Sequence, residues 1–548
     1  MLNLKSIYFY FLAIQISFIK FIKRIYFSSN YYNKSLVSSA PQQFYFHPNP
    51  FLLSTITNYK KFSFKISEID QNLIWANQSN RKDLGELHSF LWLNLIDRKN
   101  DGKSLQKIIN IWMIKHSKYK RNIWENSILS RRIISWILNV DIILNGSIFG
   151  FKKNFLTSIV SQANHLKKNI KFEKNYSNRL EILTAIMLTG LVFKEYKENY
   201  DIAIKELEKL IKSFFDRDGF PLTRNPDDLI FFCKYLILCK ECIKDAQEYV
   251  PEFLDNIISQ SLICIKNILT PNEQTPLFNG GTEETLSQFN NFISDMKYQT
   301  KEKKNLLGGI QILKFKKNYI FFDVGEPPNK SFSKSYQSGP LSFEYYMDGD
   351  KIITNCGFGC NISPKAELLS RFTSAQSTLC LNDTSVTKFE RSKLINKIFG
   401  NSIKNTFKIF DFNFTENDEY LASNASHNGY EKEFGCIYKR NIFMNKSTGN
   451  LSGVDELKKR EDGKSLNYSL RFHLYPGLSA VKTMSGNSVL IQLSKNKSLI
   501  LTIRGENVLL EKSIFLGSNK ILDNTCVTVS GNLVNRSKII HWEIKKNI

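Results

Sequence analysis

Ile310-Gln-Ile-Leu-Lys-Phe315, Lys316-Lys-Asn318 and Tyr319-Ile-Phe-Phe322 follow one another directly, and their pattern decides the fold class. Two apolar runs of strand length, rich in β-branched and aromatic residues, flank a short polar break, which reads as a β-hairpin. Similar short runs continue downstream: Leu341–Met347, Lys351–Thr354, Ser377–Leu381, Ile437–Phe443, Ser469–Leu474, Val489–Leu493, Leu499–Ile503 and Ile539–Ile544. Gly, Asn, Asp and Ser separate them at short spacing, the pattern of an antiparallel β-sandwich.

Upstream of Lys301-Glu-Lys-Lys304 the period changes. Leu87, Phe90, Leu91 and Leu95 fall at i, i+3, i+4, i+8, and Leu105, Ile108, Ile109 and Trp112 at i, i+3, i+4, i+7. That spacing places apolar side chains on one face of a helix. Further helical windows lie near 126–145, 153–171, 178–196, 200–215, 226–245, 249–268 and 281–296. Breakers such as Asn100-Asp101-Gly102, Asp218-Gly219-Phe220-Pro221 and Asn279-Gly280-Gly281 separate them. Helices joined by short loops predict stacked antiparallel hairpins, with Trp92, Trp124 and Trp136 packed between them. The expected organisation is an amphipathic or extended segment over 1–80, a helical domain over 81–300 and a β-sandwich over 301–548. A cleft between the two large domains is the default place for a ligand.

The 548-residue chain carries a formal net charge of +24, which favours polyanionic partners. Lysine is spread along the chain rather than gathered into a basic arm, as AT-rich coding DNA would also produce. There is no helix-turn-helix and no aromatic-basic strand motif, so nucleic acid is not the expected partner. Nine scattered cysteines imply no disulfide framework, and Cys239-Lys-Glu-Cys242 lacks a second pair, so it reads as free helix thiols rather than a zinc site. No metal and no cofactor is expected.

Ile7 to Ile19 is an apolar run of thirteen residues between Lys5 and the group Lys20, Lys23 and Arg24. It falls short of the roughly 20 residues that cross a bilayer. The positive flank after it and the missing small-residue cleavage site count against an export signal. An amphipathic helix on the protein or on a membrane surface fits, giving a peripheral membrane contact through residues 1–30.

Seven histidines serve the whole chain, and two lie in strand-like parts of its second half, in Ser426-His-Asn-Gly-Tyr430 and Arg471-Phe-His-Leu474. His427 and Tyr430 flank Asn428-Gly429, a turn signal that can aim both side chains at one place. Imidazole and phenol can then share proton transfer. Ordinary turn and strand residues give the same letters.

Several segments, in one order over roughly residues 80 to 545, make the chain similar to the heparinase II/III-like family, in particular its bacterial cell-envelope members. They are Glu86-Leu-His-Ser-Phe-Leu-Trp92, Ser130-Arg-Arg-Ile-Ile-Ser-Trp136, Asp218-Gly-Phe-Pro-Leu-Thr-Arg-Asn-Pro226 and Leu341-Ser-Phe-Glu344. Asn355-Cys-Gly357, Phe372-Thr-Ser-Ala-Gln-Ser-Thr-Leu379, the two histidine motifs and Leu451-Ser-Gly-Val-Asp-Glu-Leu457 complete the set. The resemblance implies an α/α toroid, an incomplete barrel, followed by an antiparallel β-sandwich. It also implies a polysaccharide lyase acting on acidic, uronic-acid-containing glycans, in the cell envelope or periplasm, with the cytoplasmic face of the membrane as the alternative.

β-Elimination must neutralise the uronate carboxylate, remove the C5 proton and protonate the leaving oxygen. The resemblance puts His427, Tyr430 and Gln376 in the catalytic roles. Asn178, Arg179, Arg224, Asn225 and Arg371 are the expected substrate-binding donors. Helix capping and loop hydrogen bonding would use the same side chains. Relatives commonly place His where this chain has Gln376, and often near Pro221 and Gln337. Glutamine can bind a carboxylate but cannot act as a base, so a non-catalytic glycan-binding or envelope-assembly protein on the same scaffold is the second expectation.

Overall fold

The computed structural model describes residues 4–37, 39–57, 75, 81–300, 302–460 and 465–547. Part of the expected 1–80 segment, namely 1–3, 38, 58–74 and 76–80, lies outside the described residues, as does Lys301. The fold is an α/α toroid followed by an antiparallel β-sandwich. By contact density the chain divides into two units, Met1–Phe215 with Ile230–Gln260 and Gln288–Tyr298, and Asp216–Leu229 with Ser261–Ser287 and Gln299–Ile548.

The helices are α1 (Leu4–Ser28), α2 (Asn30–Leu36), α3 (Arg81–Ser89), α4 (Gly102–His116), α5 (Asn126–Leu138), α6 (Val140–Leu144), α7 (Phe149–Asn169), α8 (Tyr176–Val192) and α9 (Lys197–Phe214). They continue with α10 (Pro226–Asp245), α11 (Glu252–Ile268) and α12 (Ser287–Asp295). α12 starts later than its apolar pattern, because the backbone just before it bonds elsewhere: Glu283 N donates to Gly517 O and Leu286 N to Glu273 O.

In the helical unit α8 packs on α5 and on α9. Gly190 permits the second contact: a Cβ there would stand 2.2 Å from the backbone N of Tyr200. Trp112 and Trp136 are fully buried and meet edge to face at 5.2 Å. Beside them Arg132 is fully buried, with no carboxylate on it among the described residues. Its Nε donates to Gln162 Oε1 (2.6 Å), its Nη1 donates to the carbonyls of His88 and Ile123, and its guanidinium lies 4.3 Å from the Trp112 ring centre.

The sandwich unit holds two sheets among the described residues. The first contains β1 (Leu306–Leu307), β2 (Ile310–Phe315), β3 (Asn318–Asp323), β4 (Phe343–Met347), β5 (Asp350–Thr354), β6 (Leu379–Leu381), β11 (Leu466–Leu474), β15 (Leu509–Phe515) and β16 (Leu522–Leu533). Its order is β1-β2-β3-β4-β5-β11-β16-β15, with β6 also on β11. The second contains β7 (Ile409–Glu416), β8 (Tyr420–His427), β9 (Cys436–Asn445), β10 (Leu451–Lys459), β12 (Ser479–Lys482), β13 (Ser488–Ser494), β14 (Lys497–Ile503) and β17 (Ser537–Lys546), in the order β12-β13-β14-β17-β10-β9-β8-β7.

Strands β9 and β10 alternate buried and less buried residues, as a sheet with one face on a core requires. The shared core joins Leu313, Phe343 and Phe472 of the first sheet to Tyr438, Leu457 and Trp542 of the second. Phe343 stacks on Trp542 at 5.5 Å. Asp455, buried among these rings, accepts from Tyr438 Oη (2.5 Å), Arg440 Nε (2.6 Å) and Nη2 (3.2 Å), and Trp542 Nε1 (2.7 Å). Four donors on one carboxylate compensate its burial.

Candidate functional site

The loop after α9 carries the first expected donors. Asp216 accepts from the backbone N–H groups of Asp218 and Phe220, which folds Asp218–Pro221 into a turn. The turn delivers Arg224, itself at φ 59°, into the sandwich unit. Its Nε donates to Gly308 O (2.7 Å), its Nη1 to the carbonyls of Gly325 and Glu326, and its Nη2 to Asp323 Oδ1 (2.5 Å) and Gly309 O. Gly325 is required here, since a Cβ on it would sit 2.2 Å from Arg224 Nη2. A cavity of about 330 Å³ beside this arginine is lined by Pro221, Leu222, Glu326 and Pro327 among others. Arg224, expected to hold a substrate carboxylate, instead spends its donors on Asp323 and backbone oxygens.

Asn225 is also buried, and its Oδ1 accepts from Asp227 N, which starts α10. Asp227 in turn accepts from Thr275 Oγ1 (2.9 Å) and Thr282 Oγ1 (2.7 Å), and Asp228 from Thr223 Oγ1 (2.7 Å). Burial pushes both carboxyls up to about 6.

A second knot forms around Ser370. Gln337 Nε2 donates to the carbonyls of Ser370 (2.8 Å) and Gly357 (2.9 Å), and its Oε1 accepts from Gly280 N (3.2 Å). Gln376 Nε2 donates to the same Ser370 oxygen at 2.8 Å. Both glutamines are 2% exposed or less. Arg371, fully buried, donates to the carbonyls of Tyr336, Asn401 and Ser333 and lies over the Phe389 ring. Burial pulls its guanidinium down to about 10.

His427 ends β8 and has no exposed surface. Its Nδ1 accepts from Gly429 N (3.1 Å), and the rings of Phe407, Tyr430 and Tyr438 stand 5.4–5.6 Å from it. Burial drops it to about 3, so it is neutral at physiological pH. Tyr430, 1% exposed, donates to Leu379 O (3.1 Å) and accepts from Leu381 N (3.3 Å), and burial raises its phenol far above the usual range. The structure thus brings His427 and Tyr430 together, but inside the core rather than at a surface a polysaccharide can reach. His473 is likewise held, its two nitrogens within 3.1 Å of Ser513 Oγ and Ser374 O.

Asn178 and Arg179 belong to the helical unit, in the first turn of α8. The cap of that helix is Asn175, whose Oδ1 accepts from Asn178 N (3.1 Å). Both side chains are half-buried, and Arg179 Nη2 lies 3.7 Å from Glu206 Oε2.

A family model described as heparinase II/III-like, C-terminal, matches residues 300–543. These residues are a heparinase II/III-like domain. The solved structure of heparinase III matches 90% of this chain and 79% of its own, with a TM-score of 0.67 at 14% identity. Heparan sulfate lyase HepC from Pedobacter heparinus matches 90% of this chain and 82% of its own, with a TM-score of 0.62 at 15% identity. FtsZ-localized protein C of Caulobacter vibrioides is 22% identical over 501 residues, 85% of this chain and 82% of that protein. At these identities the likeness to the solved structures is one of fold.

Within the heparinase II/III-like domain, Gln376, Arg371, His427 and Tyr430 all bind protein groups rather than facing solvent. Sequence reading passed over Asn279 and Asp227. Asn279 is 1% exposed, its Oδ1 accepting from Gln337 N while its Nδ2 has no hydrogen-bond partner among the described residues. In the sequence Asn279-Gly280 reads as a helix breaker, and Asn before Gly is also a frequent left-handed position. Asp227 had a signal as well: Pro226-Asp227-Asp228 is the usual opening of a helix, Pro first and acids in the first turn.

Proposed function

We propose that the protein is a non-catalytic acidic-glycan-binding protein built on the polysaccharide-lyase scaffold, acting in the cell envelope. The observation that carries this reading is the pairing of Gln337 and Gln376 on the Ser370 carbonyl, since the family resemblance implies a histidine at position 376 and often one near 337. Amide groups at both positions remove proton carriers, and their donors are already engaged. His427 supports the same reading, because an imidazole with no exposed surface, enclosed by three aromatic rings, is out of reach of a bound sugar's proton. The formal charge of +24 suits a polyanionic ligand. The relative that is 22% identical over most of both chains is described by its FtsZ localisation and not by a lyase activity, which fits a non-catalytic role.

The second reading is a lyase that cleaves uronic-acid-containing glycans by β-elimination. It is favoured by the likeness to heparinase III and HepC over 90% of the chain, and by the half-buried Asn178 and Arg179, which keep surface for a carboxylate. One experiment separates the two. The protein is incubated with a panel of uronate polysaccharides while binding and ultraviolet absorbance are followed together. Elimination creates a conjugated double bond, so turnover is visible as new absorbance. Binding without absorbance is expected. Absorbance that grows with enzyme concentration would sink the non-catalytic reading, and absence of binding to every polysaccharide would sink both.

A further inference from the structure

Helix α1 presents an apolar face that no described residue covers. Phe11, Ile14, Phe18, Phe21, Ile22 and Ile25 are each 48–64% exposed. At 3.6 residues per turn these six fall within an arc of about 100°. Lys20, Lys23 and Arg24 lie around the other side of the helix. α1 holds no acidic residue, and the first Asp or Glu of the whole chain is Glu68. An apolar stripe on a helix whose only charged residues are cations matches the composition of a helix that lies in the headgroup plane of an anionic bilayer. Lys20 and Arg24 can reach outward to lipid phosphates while their stems stay against apolar surface, whereas Lys23 Nζ lies 2.9 Å over the Phe172 ring.

The helix is seated firmly at its far end. Phe27 packs on Tyr32 (4.7 Å), Tyr119 (5.3 Å) and His165 (5.4 Å), and Tyr32 Oη is 2.8 Å from His165 Nδ1. Those contacts join the last turn of α1 to α2 and α7, so the stripe has a fixed direction relative to the cavity these helices line. That cavity, of about 470 Å³, is bounded by α2, α4, α7 and the turn that follows α4. Its polar groups include Lys34, Lys118, Asn110 and Asn154, and its lining contains no carboxylate. At its edge Val37 is 61% and Ile114 74% exposed. A cationic, amide-rich hollow with an apolar rim matches a phospholipid, phosphate in and acyl chains along the rim.

We infer that the helical unit docks on an anionic phospholipid bilayer, with α1 lying in the interface and the cavity beside α2 receiving a lipid phosphate. No helix among the described residues is long and apolar enough to cross a membrane, which agrees with α1 lying along the surface. The inference is independent of whether the sandwich unit cleaves glycans. Neighbouring lysines at a membrane surface each contribute on the order of 1 kcal/mol to binding, about fivefold in affinity.

The test is sedimentation of the full chain with vesicles of phosphatidylcholine alone and of phosphatidylcholine with phosphatidylglycerol in equal parts. The protein is expected to pellet with the anionic vesicles, to do so less as salt rises, and to be released by alkaline carbonate. A triple variant Phe11→Glu, Phe18→Glu, Ile22→Glu should lose binding to both vesicle types. The double variant Lys34→Glu, Lys118→Glu should lose at least about tenfold on anionic vesicles and leave any neutral-vesicle binding unchanged. All five substituted residues are exposed, so the thermal unfolding transition should stay in place. Equal pelleting with both vesicle types, wild-type behaviour of the double variant, or resistance to carbonate would each overturn the inference. So would a stable dimer of the wild-type chain that the triple variant dissolves, because the stripe would then belong to a second copy.

Discussion

The side-chain amides of Gln337 and Gln376 donate to one acceptor, the carbonyl oxygen of Ser370, each at 2.8 Å. Two donors on one carbonyl use both of its lone pairs and tie the segments 337–339 and 370–376 into one polar junction. A histidine at 376 would have to find a different partner there. The two glutamines therefore come as a set, and changing one changes the other's surroundings.

Gln376→Glu sets a carboxylate against that carbonyl in a buried site. The loss of one donor and the unpaired charge should cost on the order of 3 kcal/mol at pH 8, and less near pH 5, where a protonated acid can donate again. Urea unfolding at the two pH values measures this. An unchanged midpoint at pH 8 would mean that the Ser370 junction does not bear on stability.

Arg224→Lys keeps the charge and loses the fork. Lysine has three donors on one atom and cannot reach Asp323 and the carbonyls of Gly308, Gly309, Gly325 and Glu326 together. Stability should fall by about 2–4 kcal/mol, with glycan binding lost only in proportion to the unfolded fraction. A variant that is fully folded but has lost glycan binding would return Arg224 to the ligand.

Four buried histidines set the acid limit of the fold. Burial, aided for His88 and His116 by the Arg132 charge, holds His88, His165 and His427 at about 3 and His116 at about 4, against an ordinary value of 6.5. Between these values the unfolded chain binds more protons than the folded one. Their contribution is therefore complete above about pH 6.5 and is lost as pH falls toward 3–4. His427→Asn keeps an acceptor for Gly429 N–H and removes one titration. It should flatten the pH dependence of stability between about pH 4 and 6 by about 1.4 kcal/mol per pH unit, with a constant offset for the smaller side chain. Chemical denaturation across that range reads the slope, and parallel curves for the two proteins would contradict the assignment.

Gly190→Ala tests the α8–α9 contact. Alanine is the better helix former by about 1 kcal/mol, so local propensity alone predicts a gain. The added Cβ would meet Tyr200 N at 2.2 Å, and separating the two helices should reverse the sign, with a net loss of about 2 kcal/mol or more. A raised melting temperature would show that α9 can move away freely.

The order of helices then strands was legible because period is a local property: Leu105, Ile108, Ile109 and Trp112 all proved buried on α4. The hairpin at Ile310–Phe322 became β2 and β3. Strands β7, β10, β15 and β16 escaped notice because they carry Asp, Glu, Lys, Asn and Thr on an outward face, and short polar strands have little hydrophobic signal. The site residues were the least legible. His427-Asn-Gly-Tyr430 has the letters of a proton-transfer pair, and only tertiary packing by Phe407 and Tyr438 decides that the imidazole faces inward. Likewise nothing near Arg224 in the sequence announces Asp323, 99 positions on.

Asp455 pairs across to Arg440 on β9 and to Ile540 on β17, and it gathers Tyr438, Arg440 and Trp542 from both neighbours. Side chains alternate along a strand, so a slip of one residue in β10 would turn this carboxylate outward and leave the Arg440 guanidinium sealed among rings without an anion. This four-residue polar cluster thus works as a proofreading device during folding. An out-of-step hairpin pays for a stranded charge and comes apart, whereas apolar side chains alone would tolerate several neighbouring alignments. A sandwich of long strands, whose pairings are mostly distant along the chain, reaches a single alignment through the one carboxylate that only that alignment can neutralise.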